Sequence, residues 1–262
     1  TIGGEAVPYE SAAGRMTLRE EDGTPLAHVF HVAYVRQGID DMTSRPVTFA
    51  FNGGPGSSSV WLHMGAFGPR RVDLGEEGFD LTQPYRLVEN EHSLLDLTDL
   101  VFIDPVTTGY SRAADGVDDK LFHGQEADVK AVGRFIRRWL TTNRRWESPL
   151  YISGESYGTT RAAALADTLQ SAYGIYPRGL VLVSAILNFQ TARFDVGNDL
   201  PHVLFLPTYM PTAWDHGKLA DDLQADLEGA LEEVQDFALG EYATALMKGA
   251  KLLPAERRAI AE

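Results

Sequence analysis

The stretch LYISGESYGTT, residues Leu150–Thr160, contains the pattern G-x-S-x-G around Ser156. The short apolar run Leu150–Ser153 is typical of a buried strand, and the residues from Thr159 to Gly174 have the pattern of a helix that ends at a glycine. Enzymes of one large class place a nucleophilic serine on such a sharp strand-to-helix turn, where glycines on either side prevent clashes. We therefore interpret Ser156 as a candidate nucleophile rather than a solvent-exposed turn serine.

A second glycine-rich segment, NGGPG at residues 52–56, follows the apolar run Val47–Phe51 in the same way. The motifs of phosphate-binding loops, G-x-x-x-x-G-K-[ST] and G-x-G-x-x-G, are missing from it, which argues against a phosphate cradle. In enzymes with a serine turn, one oxyanion-hole N–H comes from the residue after the serine and another from such a loop. Tyr157 and the Gly53-Gly54 pair fit these two roles, and each donor is worth roughly 3 kcal/mol in comparable sites.

Apolar runs that predict strands alternate with amphipathic segments that predict helices. The predicted strands are His28–Val35, Val47–Phe51, Asp99–Pro105, Pro149–Ser153 and Gly179–Leu187, and the predicted helices are Asp128–Leu140 and the segment from Thr159 to Gly174. In the first helix Val129, Val132, Ile136 and Trp139/Leu140 lie on one face. This alternation predicts an α/β fold with a largely parallel sheet covered on both faces.

The pattern changes after about Arg193, where only helices are predicted. Four leucines, Leu219, Leu223, Leu227 and Leu231, recur every four residues and predict the core stripe of one amphipathic helix. A further helix is predicted to begin at Pro254. We expect two domains, an α/β core over residues 1–192 and an incomplete helical cap or insertion over residues 193–262.

Composition excludes several classes of function. The 37 acidic and 23 basic residues give a formal charge of -14, which opposes non-specific binding to nucleic acid. The absence of cysteine excludes disulfides, thiolate metal sites and a cysteine nucleophile. No apolar run is long enough to span a membrane, and His28 and His31 point to opposite faces of a strand and make a poor metal pair. No metal or organic cofactor is implied.

Three segments, in this order, resemble the serine carboxypeptidase family. They are FNGGPGSSS, LLDLTDLVFIDPVTTGYSR and YISGESYG, and the resemblance, which extends over roughly residues 25 to 220, is closest to the bacterial members. It implies an α/β-hydrolase fold, of which this chain holds the N-terminal part of the doubly wound sheet and the start of a helical cap, without the C-terminal strands. It also favours a periplasmic or secreted location, although composition alone leaves the compartment open.

The resemblance implies a role for six residues. Ser156 aligns with the nucleophile, Gly54 and Tyr157 with the oxyanion-hole residues, and Asn52, Gly53 and Glu155 with the groups that hold the α-carboxylate of a peptide substrate. A glutamic acid can donate a hydrogen bond to a carboxylate only when it is protonated. This explains why members of the family tend to work at acidic pH.

The chain departs from the family pattern near the glycine-rich loop. Ala66 stands where the family usually has a glutamate that shares a proton with the glutamate before the serine. We expect carboxypeptidase activity at more acidic pH, or a weaker demand for a free C-terminus. Ala50 replaces a frequent aromatic residue, which puts one wall of the pocket in doubt, and Ser57 replaces a frequent cysteine.

The triad of this fold follows the order Ser, Asp, His, and both partners of the serine belong to strands beyond the cap. The seven histidines are His28, His31, His63, His92, His123, His202 and His216. His63 is near the glycine-rich loop, but packing or surface exposure is its expected role, and none is nominated as the base. We expect a C-terminal part that carries the triad Asp and His, either a second chain made by cleavage in the cap or a segment that has been lost.

The sequence is compatible with three functions. The first is a serine carboxypeptidase that acts through an acyl-enzyme on Ser156. The second is an esterase or acyltransferase of the same fold, and the third is an inactive fragment that serves as a binding module. The carboxylate-binding residues favour the peptidase because a simple esterase has no use for them.

Overall fold

One mixed sheet forms the centre of the larger of two compact units, residues 1–187. The computed structural model describes residues 1–75, 78 and 83–261. Its strands are β1 (Tyr9–Arg19), β2 (Pro25–Arg36), β3 (Val47–Phe51), β4 (Arg70–Val72), β5 (Leu87–Glu89), β6 (Asp99–Ile103), β7 (Arg112–Ala113), β8 (Leu150–Glu155) and β9 (Gly179–Val183). Within the described residues the sheet has seven strands in the order β1-β2-β6-β3-β8-β9, with β7 paired to β2, while β4 and β5 pair separately.

The middle of this sheet is parallel, as the sequence predicts. Strands β6, β3, β8 and β9 run parallel to one another, whereas β2 pairs antiparallel with β6 and β1 pairs antiparallel with β2. Every residue of β3 and β6 is buried, which is typical of central strands covered on both faces. The predicted strand Val47–Phe51 is confirmed at both ends.

Two long helices cover the core of this unit. They are α2 (Gln125–Asn143) and α3 (Tyr157–Tyr173), and the short α1 (Val60–Leu62) continues into a π-helical turn, His63–Phe67. The predicted apolar face of α2 is confirmed, because Val129, Val132, Ile136, Trp139 and Leu140 are all buried. Helix α3 ends at Gly174, whose φ of 64° is the left-handed conformation that favours glycine at a helix terminus.

Residues 188–262 form the second compact unit, which is helical. The sequence placed this boundary slightly later, after residue 192. Its α-helices are α4 (Leu200–Asp215), α5 (Asp221–Ala225), α6 (Leu227–Phe237), α7 (Ala243–Lys248) and α8 (Pro254–Ala261), and α8 begins at the predicted residue. No helix among the described residues is both long enough and apolar enough to cross a bilayer.

The prediction that Leu219, Leu223, Leu227 and Leu231 belong to one helix is wrong. Asp226 has extended backbone angles, φ -139° and ψ 97°, and separates α5 from α6. Its carboxylate accepts a hydrogen bond from Gly229 N at 3.2 Å, so this residue acts as the N-cap of a new helix. Leu219 lies before α5, outside any helix, and the stripe is divided between two helices and a bend.

Strand β9 is the last strand of the sheet on one side. Among the described strands it pairs with β8 alone. Its apolar residues Leu180 and Val181 are 38% and 40% exposed, respectively. An unpaired edge strand with exposed apolar residues is a template for pairing with another strand.

The carboxylate of Asp99 joins three separate segments near the N-terminal ends of the parallel strands. Arg45 Nε donates to Oδ1 at 2.7 Å, and Arg145 donates to Oδ2. The backbone N–H of Arg36 also donates to Oδ1, at 3.0 Å. Asp99 is fully buried and both partner guanidinium groups are nearly so, which means that each charge depends on the others for its solvation.

We predict that Asp99→Asn destabilises the protein by about 3–5 kcal/mol, because it leaves two buried guanidinium groups without their shared negative charge. Urea unfolding followed by circular dichroism measures this change. Glu126→Gln is the matched control, since it removes only the exposed Glu126–Lys130 pair and should shift the midpoint far less. Equal midpoints for the two variants would contradict the prediction.

Candidate active site

Ser156 stands at a sharp turn between β8 and α3. Its φ of 57° and ψ of -125° lie in a region that non-glycine residues rarely adopt, and its N–H donates to Val183 O at 3.0 Å. A side chain on Gly154 would collide with the carbonyl of Gly158, which explains the glycine at the first position of the motif. The turn therefore holds the serine in a strained conformation at the start of a helix, close to the positive end of its dipole.

The glycine-rich loop packs against this turn through backbone atoms. A Cβ added to Gly53 would lie 2.5 Å from Tyr157 N, and one added to Gly158 would lie 2.8 Å from Phe51 O. Gly54 has a φ of 104°, which only glycine adopts readily, and this residue is exposed. The loop and the serine turn approach each other so closely that no side chain fits between them.

Asn52 connects the loop to the residue before the serine. Its Nδ2 donates to Glu155 Oε2 at 2.9 Å, and its Oδ1 accepts from Leu62 N at 3.0 Å. The side chain of Asn52 is fully buried, so these two bonds fix the orientation of its amide. Among the described residues, Asn52 provides the hydrogen bond that the Glu155 carboxylate accepts.

The structure places all six predicted site residues at one edge of the sheet. Strands β3 and β8 are parallel, with Phe51 opposite Gly154, so the residues that follow each strand meet. The residues brought together are Asn52, Gly53, Gly54, Glu155, Ser156 and Tyr157. Ser156 and Glu155 are half-buried, which leaves them within reach of a ligand.

The side chain of His63 contacts residues of β2 and β6. Its Nε2 shares a hydrogen bond of 2.7 Å with Tyr34 Oη, and its ring stacks on Phe102 with the centroids 4.5 Å apart. Burial lowers the pKa of His63 to about 4, because desolvation disfavours the charged imidazolium. In the described part of the chain no histidine is hydrogen-bonded to the Ser156 hydroxyl.

An ion pair that was not predicted from the sequence lies behind the site. Arg161, on α3, donates from Nε to Asp128 Oδ2 at 2.7 Å and from a terminal nitrogen to Asn52 O at 2.8 Å. Burial raises the pKa of Asp128, and the Arg161 charge opposes that rise. The sequence offers one signal for this pair, since two residues of opposite charge both lie on the buried faces of helices. They are 33 residues apart, however, and no local pattern links them.

Asp104, at the end of β6, fixes two further loops. Its Oδ1 accepts from Ser59 N at 2.9 Å and its Oδ2 accepts from Tyr110 N at 3.1 Å. Burial raises the pKa of this carboxyl, while the two backbone donors and the charge of Arg112 lower it. The segment that follows the glycine-rich loop is thereby tied to the neighbouring strand.

Ala66 lies in the π-helical turn and is exposed. Its carbonyl and that of Gly68 accept from Asn90 Nδ2 at 2.7 and 2.8 Å. The backbone at this position is therefore held in place, while the side chain contributes no carboxyl group.

A parallel sheet that carries a serine turn and a glycine-rich loop on adjacent strands is part of an α/β-hydrolase fold. The family model described as serine carboxypeptidase matches residues 3–244, and the chain belongs to this family. Serine carboxypeptidase-like 16 of Arabidopsis thaliana is 25% identical over 195 residues, which cover 71% of this chain and 42% of that protein. Serine carboxypeptidase-like 37 of the same plant is 29% identical over 140 residues, 52% of this chain and 27% of that protein.

The solved structure of Kex1(delta)p, a prohormone-processing carboxypeptidase from Saccharomyces cerevisiae, has the same fold. It matches with a TM-score of 0.57 and 23% identity, and the match covers 88% of this chain and 47% of the yeast chain. The chain thus spans less than half the length of each of these relatives. The expected closeness to bacterial members is not supported, because these relatives come from a plant and a yeast.

We predict that Gly53→Ala destabilises the protein by about 1–3 kcal/mol, because the new methyl group would overlap backbone atoms that cannot move independently. Gly65→Ala is the matched control, since a Cβ there meets nothing within 4 Å. Thermal unfolding of both variants tests the contact. Similar midpoints would show that the loop and the serine turn are not packed together as described.

We predict that His63 makes the protein more sensitive to acid. Its folded-state pKa of about 4 lies below the ordinary value of 6.5, so the stability it contributes is complete above pH 6.5 and is lost as the pH falls toward 4. Between these pH values the wild type should lose about 2 kcal/mol more than His63→Gln. Urea unfolding at several pH values measures the difference, and His92→Gln, at an exposed position, should behave like wild type.

Proposed function

We propose that this chain is the nucleophile-bearing part of a serine carboxypeptidase. The observation that carries the proposal is the hydrogen bond between Asn52 and Glu155 directly beside Ser156. These two side chains and the neighbouring Gly53 N–H form a polar clamp that suits the free α-carboxylate of a peptide C-terminus. Family membership and the glycine-rich loop beside the serine turn support the same reaction class.

In the proposed reaction the Ser156 hydroxyl oxygen attacks the carbonyl carbon of the last peptide bond. The oxyanion formed in this step accepts hydrogen bonds from the N–H groups of Gly54 and Tyr157. The bond to the C-terminal residue breaks, the leaving amine takes up a proton, and an acyl-enzyme remains on the serine. Water then attacks the ester and releases the shortened peptide and the free hydroxyl.

The clamp determines where the peptide is cut. Asn52 Nδ2, Gly53 N–H and the protonated carboxyl of Glu155 all present donors to the substrate carboxylate. A donor set of this kind rejects an internal peptide bond, because the groups would remain buried without a partner. Binding the terminal carboxylate beside Ser156 restricts cleavage to the last residue.

A base and an orienting carboxylate complete this mechanism. We propose that a C-terminal part, continuous or present as a second chain, supplies the triad His and Asp. The helical residues 193–262 are, in this proposal, the beginning of the cap that precedes it. Without the base, only transition-state binding by the oxyanion hole remains, and activity falls by orders of magnitude.

An esterase or acyltransferase of the same fold is the second candidate. The acyl-enzyme on Ser156 can pass to water or to another hydroxyl or amine, so the same core serves both reactions. Ala66, which lacks the carboxyl group usual in the family, is the observation that favours this candidate, because the demand for a free C-terminus is then weaker. The inactive binding module is the third and predicts no reaction at Ser156.

We predict that the full-length protein hydrolyses a blocked dipeptide with a free carboxylate at least about 10-fold more efficiently than the matching dipeptide amide, because only the former satisfies the clamp. Glu155→Gln should reduce this preference, and Ser156→Ala should lower kcat by about 10³-fold or more. The measurements are kcat and KM for both substrates.

Equal kcat/KM values for the acid and the amide would favour the esterase. Failure of a fluorophosphonate to label Ser156 in the full-length protein would favour the binding module. A pH–rate profile for the acid substrate that stays flat above neutrality would contradict the role of a protonated Glu155.

A further inference from the structure

The guanidinium of Arg161 lies directly behind the proposed carboxylate clamp. The side chain is 1% exposed, and its charged group lies 5.1 Å from the ring centroids of both Phe51 and Tyr157. One nitrogen donates to Asn52 O at 2.8 Å and another to Asp128 Oδ2 at 2.7 Å. The two aromatic rings and the two acceptors together fix the position of the guanidinium.

The bond to Asn52 O determines the direction of the next N–H. The peptide between Asn52 and Gly53 is planar and trans, so its carbonyl and its N–H point in opposite directions. Because Arg161 holds the carbonyl on the buried side, the Gly53 N–H points away from α3. Among the described residues no group accepts a hydrogen bond from this N–H, so it is available to a ligand.

The ion pair anchors this peptide to two helices. Asp128 belongs to α2 and Arg161 to α3, and Tyr157 Oη donates to the same Asp128 oxygen at 3.4 Å. A buried ion pair of this kind gains little net stability over well-packed apolar residues of similar size. Orientation of the loop therefore explains the charge at this position better than stability does.

We propose that Arg161 is a positioning residue that aims the Gly53 N–H at the α-carboxylate of the substrate, with Asp128 holding the guanidinium in place. The inference rests on the proposed carboxypeptidase function. Arg161 itself does not touch the substrate. It acts through the peptide group that it holds, and its removal should affect recognition of the carboxylate more than the chemical step at Ser156.

The test compares Arg161→Met with wild type in the full-length protein. For a blocked dipeptide with a free carboxylate we expect kcat/KM to fall about 10-fold or more, mainly through KM, because one donor of the clamp is misaligned. For the dipeptide amide the fall should be less than about 3-fold. Arg161→Lys keeps a cationic donor near Asn52 O and should recover part of the preference for the acid.

Two further variants keep the outcome decisive. Arg137→Met makes the same exchange at a site where the guanidinium lies over the ring of Tyr173. It should leave kcat/KM unchanged for both the acid and the amide. Asp128→Asn preserves side-chain size and should give the same pattern as Arg161→Met to a smaller extent. If thermal unfolding shows that Arg161→Met does not fold, Asp128→Asn and Arg161→Lys are used for the comparison instead.

An equal loss of kcat/KM for the acid and the amide in these variants would overturn the inference, since it would indicate a general structural role. No loss for either substrate would overturn it as well. If the wild type itself fails to prefer the acid, the proposed function fails first and the inference with it. If the wild type prefers the acid and the variants prefer it equally strongly, the positioning role of Arg161 is contradicted but the proposed function is not.

Discussion

Direct contact between backbone segments, with no side chain between them, is the constraint on which the rest of the site depends. The loop after β3 touches the turn after β8 at Gly53 and Gly158. This contact requires β3 and β8 to be adjacent and parallel, with Phe51 opposite Gly154. The geometry around Ser156 therefore depends on the order of strands in the sheet, because only adjacent β3 and β8 bring the loop and the turn into contact.

Much of this arrangement could be predicted from the sequence because its signals are local. The apolar runs at Val47–Phe51 and Asp99–Pro105 mark central strands, and glycines mark the two turns that follow strands. The six site residues are contained in two short motifs, so locating the turns locates the residues. Their chemical roles, in contrast, were implied by resemblance to a family and remain proposals.

The features that escaped prediction depend on tertiary contacts or on competing local preferences. Arg161 and Asp128 meet only because α2 and α3 pack side by side, and no local pattern links them. The environment of His63 is made by β2 and β6, which contribute Tyr34 and Phe102 from distant parts of the chain. The leucine stripe suggested one helix, but the capping preference of Asp226 starts a new one.

Asn52 has a consequence for how a ligand would enter the site. Its side-chain nitrogen, side-chain oxygen and main-chain carbonyl each have a partner before any ligand is present. The Asn52 side chain is thus preorganised, and it has little conformational entropy left to lose when a ligand binds. A preformed group of this kind favours lock-and-key binding, in which most of the entropic cost falls on the ligand and the association rate depends on its diffusion and desolvation.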